Sequence, residues 1–197
     1  MFRAKLLKKE HKKNFMISLS RLIIKKGMRR IIIMENTALI IIDLQKGVQP
    51  ENVPLYNLAN ILNGVNQRIR LFREKNNPIF FVQHNESDLV LNSPEWQLFP
   101  ELDAKDTDIY INKTHANSFY KTDLNEQLRN LNINKLEICG AQTEYCVDTT
   151  IRMAHGLGYK LFMKKGLTTT LNSELLGAKT IIEHHENLWN NRFLTFL

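Results

Sequence analysis

Cysteine is almost missing from this sequence: among 197 residues there are only Cys139 and Cys146. Two thiols seven positions apart make no disulfide framework, so a reducing cytoplasm is the expected setting. Nor do they form a C-x-x-C pair, which argues against thioredoxin-like redox chemistry. Long apolar runs are lacking too; none approaches the ~20 residues that would span a bilayer. There are no internal repeats and no low-complexity linkers. The "GLG" at 156–158 follows a helical pattern and precedes a strand, the reverse of a dinucleotide fingerprint.

Acidic residues are scarce in one place only. Residues 1–33 hold eleven lysines and arginines against Glu10, a charge of +10, whereas the rest of the chain carries −3. The net +7 therefore belongs to a basic extension and not to the body. Three readings of residues 1–33 stand beside one another. They could contact nucleic acid or anionic lipid. They could be a targeting peptide, although "FMISLSRLII" is interrupted by Arg21 and no small-residue cleavage site follows. Or they could precede the true start, since Met34 sits directly before "ENTALIIIDLQ", where folded pattern begins. The charge break favours the last, so nucleic acid is not an expected partner and 34–197 is read as the domain.

The apolar share, 43%, suits a chain that closes one hydrophobic core. Short apolar runs, "TALIIID" (37–43), "PIFFVQH" (78–84), "DIYIN" (108–112), "KLEICG" (135–140) and "YKLFMK" (159–164), read as strands covered on both faces. Helical spacing over 54–75, opening with Pro54, 122–131, 143–157 and 173–190, led by Ser173, separates or follows them. This alternation predicts an α/β domain, a mostly parallel sheet flanked by helices. Sites in such sheets lie at the carboxyl ends of strands. The irregular segment 85–107 is a candidate pocket wall. The ending "NNRFLTFL" leaves room for at most a very short last strand.

Three strand ends carry chemistry. Asp43 follows five apolar residues, so its carboxylate is either desolvated or held by a cation; alone, it also reads as a turn aspartate. Lys113 follows the strand at 108–112. Cys146 sits in "GAQTEYCVDTT", at the start of an apparent helix, where the helix end and a nearby ammonium would favour the thiolate. Together a carboxylate, an ammonium and a thiol fit nucleophilic hydrolysis. Cys139, inside "LEICG", is expected in the core.

"ALIIIDLQ", "INKTHANSF" and "ICGAQTEYCVDTTIRMAHGLGY" resemble, in order and spacing, the isochorismatase-like cysteine hydrolases, a group that includes nicotinamidases and N-carbamoylsarcosine amidase. The resemblance covers residues 36–190. It implies a Rossmann-like three-layer fold with about six parallel strands, and a homo-oligomer, dimer or larger. It implies that Cys146 attacks an amide or imide carbonyl, that Asp43 moves the proton, and that Lys113 stabilises the thiolate and orients Asp43. A cis peptide at Ala141–Gln142 would turn the Gln142 and Cys146 amides toward the developing oxyanion. Candidate pocket residues are Phe119, Tyr145 and Trp96, each of which could equally be core, with His84 and Gln45. Nicotinamidases of this family carry a metal-binding Asp-x-His pattern shortly after the first strand. Here the chain reads "LQKGVQPENVPLYN" with no histidine, so no metal and no cofactor are expected. The pair His184–His185 is expected at an interface or in solvent. A nucleophilic cysteine favours C–N hydrolysis of a small amide, carbamoyl, ureido or lactam substrate. Isochorismatase or nicotinamidase activity, or a non-catalytic binding protein on the same fold, are the alternatives.

Overall fold

The computed structural model describes residues 35–50 and 52–197, so the basic extension 1–33 lies outside the described residues. The order of elements is β1 (Thr37–Ile42), α1 (Leu58–Glu74), β2 (Ile79–His84), β3 (Ile109–Lys113), α2 (Leu124–Asn130), β4 (Lys135–Ala141), α3 (Asp148–Gly156), β5 (Lys160–Met163), β6 (Thr168–Thr169), α4 (Ala178–Trp189) and β7 (Leu194–Phe196). Every strand pairing is parallel, in the order β3-β2-β1-β4-β5-β7. β5 pairs with the first half of β4, and β6 pairs with its end through Gly140–Thr168 and Ala141–Thr169. Among the described residues no helix is long and apolar enough to cross a membrane.

Strand pleating explains why β1 is apolar at every position. Ala38, Ile40 and Ile42 enter one core with Leu124 and Leu128 of α2, Ile151 and Ala154 of α3, and Trp189 of α4. Leu39 and Ile41 enter the other, against Ile61, Leu62, Val65, Ile69 and Phe72 of α1. A central strand buried on both faces has no polar side to show. The expected three-layer α/β architecture is therefore the observed one, with a seventh strand formed by the short Thr168–Thr169 segment. A partly buried bidentate pair, Arg68 Nε and Nη2 to the two oxygens of Glu137 at 2.5 and 2.6 Å, pins α1 to β4.

The chain runs outward from β1 to β3, then returns to β4 on β1's other side. That reversal opens a crevice beyond the ends of β1 and β4. Gly140 lets the two strands close there. It holds φ +129°, and a Cβ at this position would stand 2.1 Å from the Ile42 carbonyl oxygen. Only glycine fits that approach.

Two helix starts differ from expectation. α1 begins at Leu58 and not at Pro54, because Asn57 takes a left-handed conformation (φ 55°) just before it. α4 begins at Ala178, five residues after Ser173. The Ser173 hydroxyl accepts the amides of Leu175 and Leu176, closing a local turn, while Asn172 Oδ1 accepts the Ala178 amide. The serine caps a turn instead of the helix.

Candidate active site

Four adjacent strands deliver the site. Asp43 follows β1, His84 ends β2, Lys113 ends β3, and the turn after β4 carries Cys146. Parallel register sets His84 directly opposite Lys113, and the Asp43 amide donates to the Val82 carbonyl at 2.9 Å. Asp43 itself sits at φ +48°, a conformation that costs a non-glycine residue free energy and that recurs at functional sites. Beyond β4 the Ala141–Gln142 peptide is cis, as expected, and Thr143–Val147 forms a single wide π turn before α3. Such turns re-aim one side chain within a helix, and here the side chain at the turn is Cys146. The indole N–H of Trp189 donates to Asp148 Oδ1 at 2.7 Å, tying the end of α4 to the start of α3 behind the turn.

Lys113 lies at the centre, with its Nζ fully enclosed. It donates to Asp43 Oδ2 at 2.7 Å, His84 Nδ1 at 2.9 Å and Cys146 Sγ at 3.4 Å. An ammonium has three N–H donors, and each meets one acceptor. The other carboxylate oxygen, Asp43 Oδ1, is buried without a hydrogen-bond partner among the described residues. It is free to take a proton or to meet a substrate donor.

Burial pushes the Asp43 carboxyl above the usual range, and the Lys113 ammonium offsets part of that rise. Burial also pushes the Cys146 thiol up, to about 12, with the Asp43 carboxylate adding to it and Lys113 opposing. This corrects the expectation of a thiolate favoured by the helix end: the resting sulfur carries its proton. Charge counting explains the difference. A carboxylate, an ammonium and a thiol sum to zero, whereas losing the thiol proton to water would leave −1 in a dry site. Passing that proton to Asp43 keeps the sum at zero. The arrangement thus suits a thiol that is deprotonated by its neighbour as it attacks, not one held as a free thiolate. For His84, burial comes first and the Lys113 ammonium second in holding the imidazole below its usual value, so it stays neutral.

The remaining expected residues separate. Gln45 is fully buried and spends its whole amide on the main chain. Nε2 donates to the carbonyls of His84 (3.1 Å) and Trp96 (2.9 Å), and Oε1 accepts the His84 amide (2.7 Å). It braces the crevice wall and is not free to contact a ligand. Phe119 packs in the core, stacked on Tyr159 with ring centroids 6.0 Å apart. The NSF motif reads equally well as core packing, and the core has it. Tyr145, beside the nucleophile, is 59% exposed. Trp96 is half-buried in the 85–107 segment, its indole N–H unpartnered among the described residues. Cys139 is in the core, its thiol pushed up by burial. His184 and His185 meet edge to face along α4, and His115 and His155 pack edge to face on Tyr120 and Phe193.

Sequence reasoning missed the contact of His84 with Lys113. The only signal was a histidine at a strand end; strand order was needed to see what stands opposite. One set of possible metal ligands exists among the described residues, Asp43, His84 and Cys146, whose ligand atoms lie within 4.8 Å of one another. Lys113 Nζ already contacts all three, so a cation of the protein's own fills the space among them.

Residues 37–186 match the isochorismatase domain family. A crystal structure of an isochorismatase family protein superimposes with a TM-score of 0.82 at 53% identity, covering 83% of this chain and 99% of that one. The isochorismatase family protein YecD of Escherichia coli O157:H7 is 30% identical over 71% of this chain and 83% of its own length. Nicotinamidase 3 of Arabidopsis thaliana is 28% identical over 70% of this chain and 75% of its own. With strands β1 to β6, the reversal crevice and the strand-end cluster all within the matched segment, the chain belongs to the isochorismatase family of hydrolases.

Proposed function

We propose that this protein is a cysteine hydrolase that cleaves a C–N bond in a small amide, carbamoyl, ureido or lactam substrate through a thioester acyl-enzyme. The observation that carries the reading is the single ammonium of Lys113 joining Asp43 and Cys146 in one buried, charge-balanced cluster.

Cys146 Sγ bonds to the carbonyl carbon while its proton passes to Asp43. Collapse of the tetrahedral adduct breaks the C–N bond, and Asp43 returns the proton to the leaving nitrogen. Water then adds to the thioester, with Asp43 taking its proton. The C–S bond breaks, the acid leaves and the thiol recovers its proton. Lys113 holds the carboxylate toward the sulfur and balances the charge that develops. The amides of Gln142 and Cys146, beside the cis bend, are assigned to the oxyanion.

The test is hydrolysis by wild type and Cys146→Ala over nicotinamide, maleamate, N-carbamoylsarcosine, ureidoacrylate and a lactam antibiotic. Ammonia release and product mass are the readouts. Turnover lost in the variant is expected; turnover that survives it overturns the mechanism.

A further inference from the structure

We infer that His84 is a positioning residue that holds the Lys113 ammonium in place by accepting one of its protons at Nδ1. This rests on the proposed function for its importance but not for its geometry.

Lysine has only donors, so the 2.9 Å contact requires a bare Nδ1. The imidazole must therefore be neutral, with its proton on Nε2, which lies 3.6 Å from Glu86 Oε2. Both partners are fixed through their backbones. Gln45 clamps the His84 amide and carbonyl, and the Asn85 amide donates to the Lys113 carbonyl at 2.8 Å. Parallel register then brings the two side chains together.

The need for a third acceptor follows from the chemistry. Lysine's four-carbon stem is flexible, and its ammonium is a compact charge without a preferred plane. When Asp43 takes the thiol proton, the strongest of the three acceptors loses its charge. His84 Nδ1 does not change during that step. It keeps Nζ beside the sulfur while the carboxyl is neutral, so the ammonium still faces the negative charge developing on the substrate. The groups facing His84 are Asp43 from the end of β1, Lys113 from β3, Glu86 from the following loop, and Cys146 across the ammonium. Protonating Nδ1 would turn the acceptor into a donor and set two cations 2.9 Å apart. His84 is thus also an acid cut-off for the site.

The experiment has two arms. In the full-length protein labelled with ¹⁵N-histidine, long-range ¹H–¹⁵N correlation spectra at pH 7 report the His84 tautomer. In parallel, the rate of Cys146 alkylation by iodoacetamide is followed against pH for wild type, His84→Asn and His84→Leu, with circular dichroism to check folding. The expected tautomer is Nε2–H with a bare Nδ1. His84→Asn offers an oxygen near the Nδ1 position and should alkylate within about threefold of wild type. His84→Leu should slow by about tenfold, the loss of one hydrogen bond to a charged group, and should lose part of the acid limb. A proton on Nδ1, or a folded His84→Leu with the wild-type rate and pH profile, overturns the inference. Neither arm needs a substrate. A bare Nδ1 with no hydrolysis of any amide would sink the proposed function alone, and hydrolysis with a protonated Nδ1 would sink this inference alone.

Discussion

Lys113→Met removes the cation and keeps the length of the side chain, and its effect on stability can be worked from the geometry. Lys113 and Asp43 are both buried, so the substitution leaves a carboxylate in a dry site with its nearest counter-charge gone. Breaking a buried pair in this way costs about 3–5 kcal/mol. For a domain of this size each kcal/mol lowers Tm by about 2–4 °C, so the melt should fall by about 6–20 °C at neutral pH. The sign with pH is set by Asp43. Its folded value already lies above the unfolded 3.8, and without Lys113 the largest opposing influence disappears. The cost is present where the carboxyl is ionised and shrinks as pH falls through the raised folded value. Asp43→Asn combined with Lys113→Met removes the stranded charge, and should recover about half of the loss. The assay is thermal melting of the two variants and wild type between pH 5 and 8. A Lys113→Met protein that melts like wild type, or whose deficit ignores pH, would refute the description of the pair as buried and charged.

The same packing and burial set three other outcomes. Gly140→Ala puts a Cβ 2.1 Å from the Ile42 oxygen, on top of a strained backbone worth about 1–3 kcal/mol, so soluble yield and Tm should both fall sharply. Phe119→Ala empties core volume against Tyr159, at a cost of about 3–5 kcal/mol in denaturant melts. The acid limb of kcat/KM should lie above 3.8, the ordinary carboxylate value, because burial raises the Asp43 carboxyl that must be ionised to take the thiol proton. Activity should show no second rise until the pH nears the thiol's own value of about 12.

Asp43 was legible in the sequence because it ends a run of five apolar residues, where a polar group stands out. Lys113 and Cys146 follow mixed stretches, "DIYIN" and "GAQTEY", and were legible through the resemblance of their surroundings to the isochorismatase-like hydrolases. The β-strands were legible as short, mostly apolar runs. What local pattern could not carry was whatever depends on which strands are neighbours. His84 faces Lys113 only because β2 and β3 pair in parallel register, and Gln45 is consumed by a segment fifty residues away. Phe119 could equally be pocket or core from the sequence, because an aromatic near a strand end has the same look whether it lines a cavity or plugs the core. Ser173 reads as a helix cap because its hydroxyl can cap a turn and a helix by the same bond; Asn172 and Gly177 decide between them. The thiol's state depends on burial, which local pattern does not show. Helix ends and ammonium groups favour a thiolate in partly exposed sites, whereas burial with a carboxylate for a neighbour reverses the sign.

The central claim is that Cys146 becomes acylated with Asp43 carrying the proton, and acid-quenched intact-mass spectrometry tests it most directly. Wild type mixed with the best substrate of the panel should gain the mass of the acyl group, mapped by peptide digestion to Cys146. Asp43→Asn should gain far less in the same time. Turnover with no adduct on Cys146, or an adduct that forms as fast in Asp43→Asn as in wild type, would contradict it.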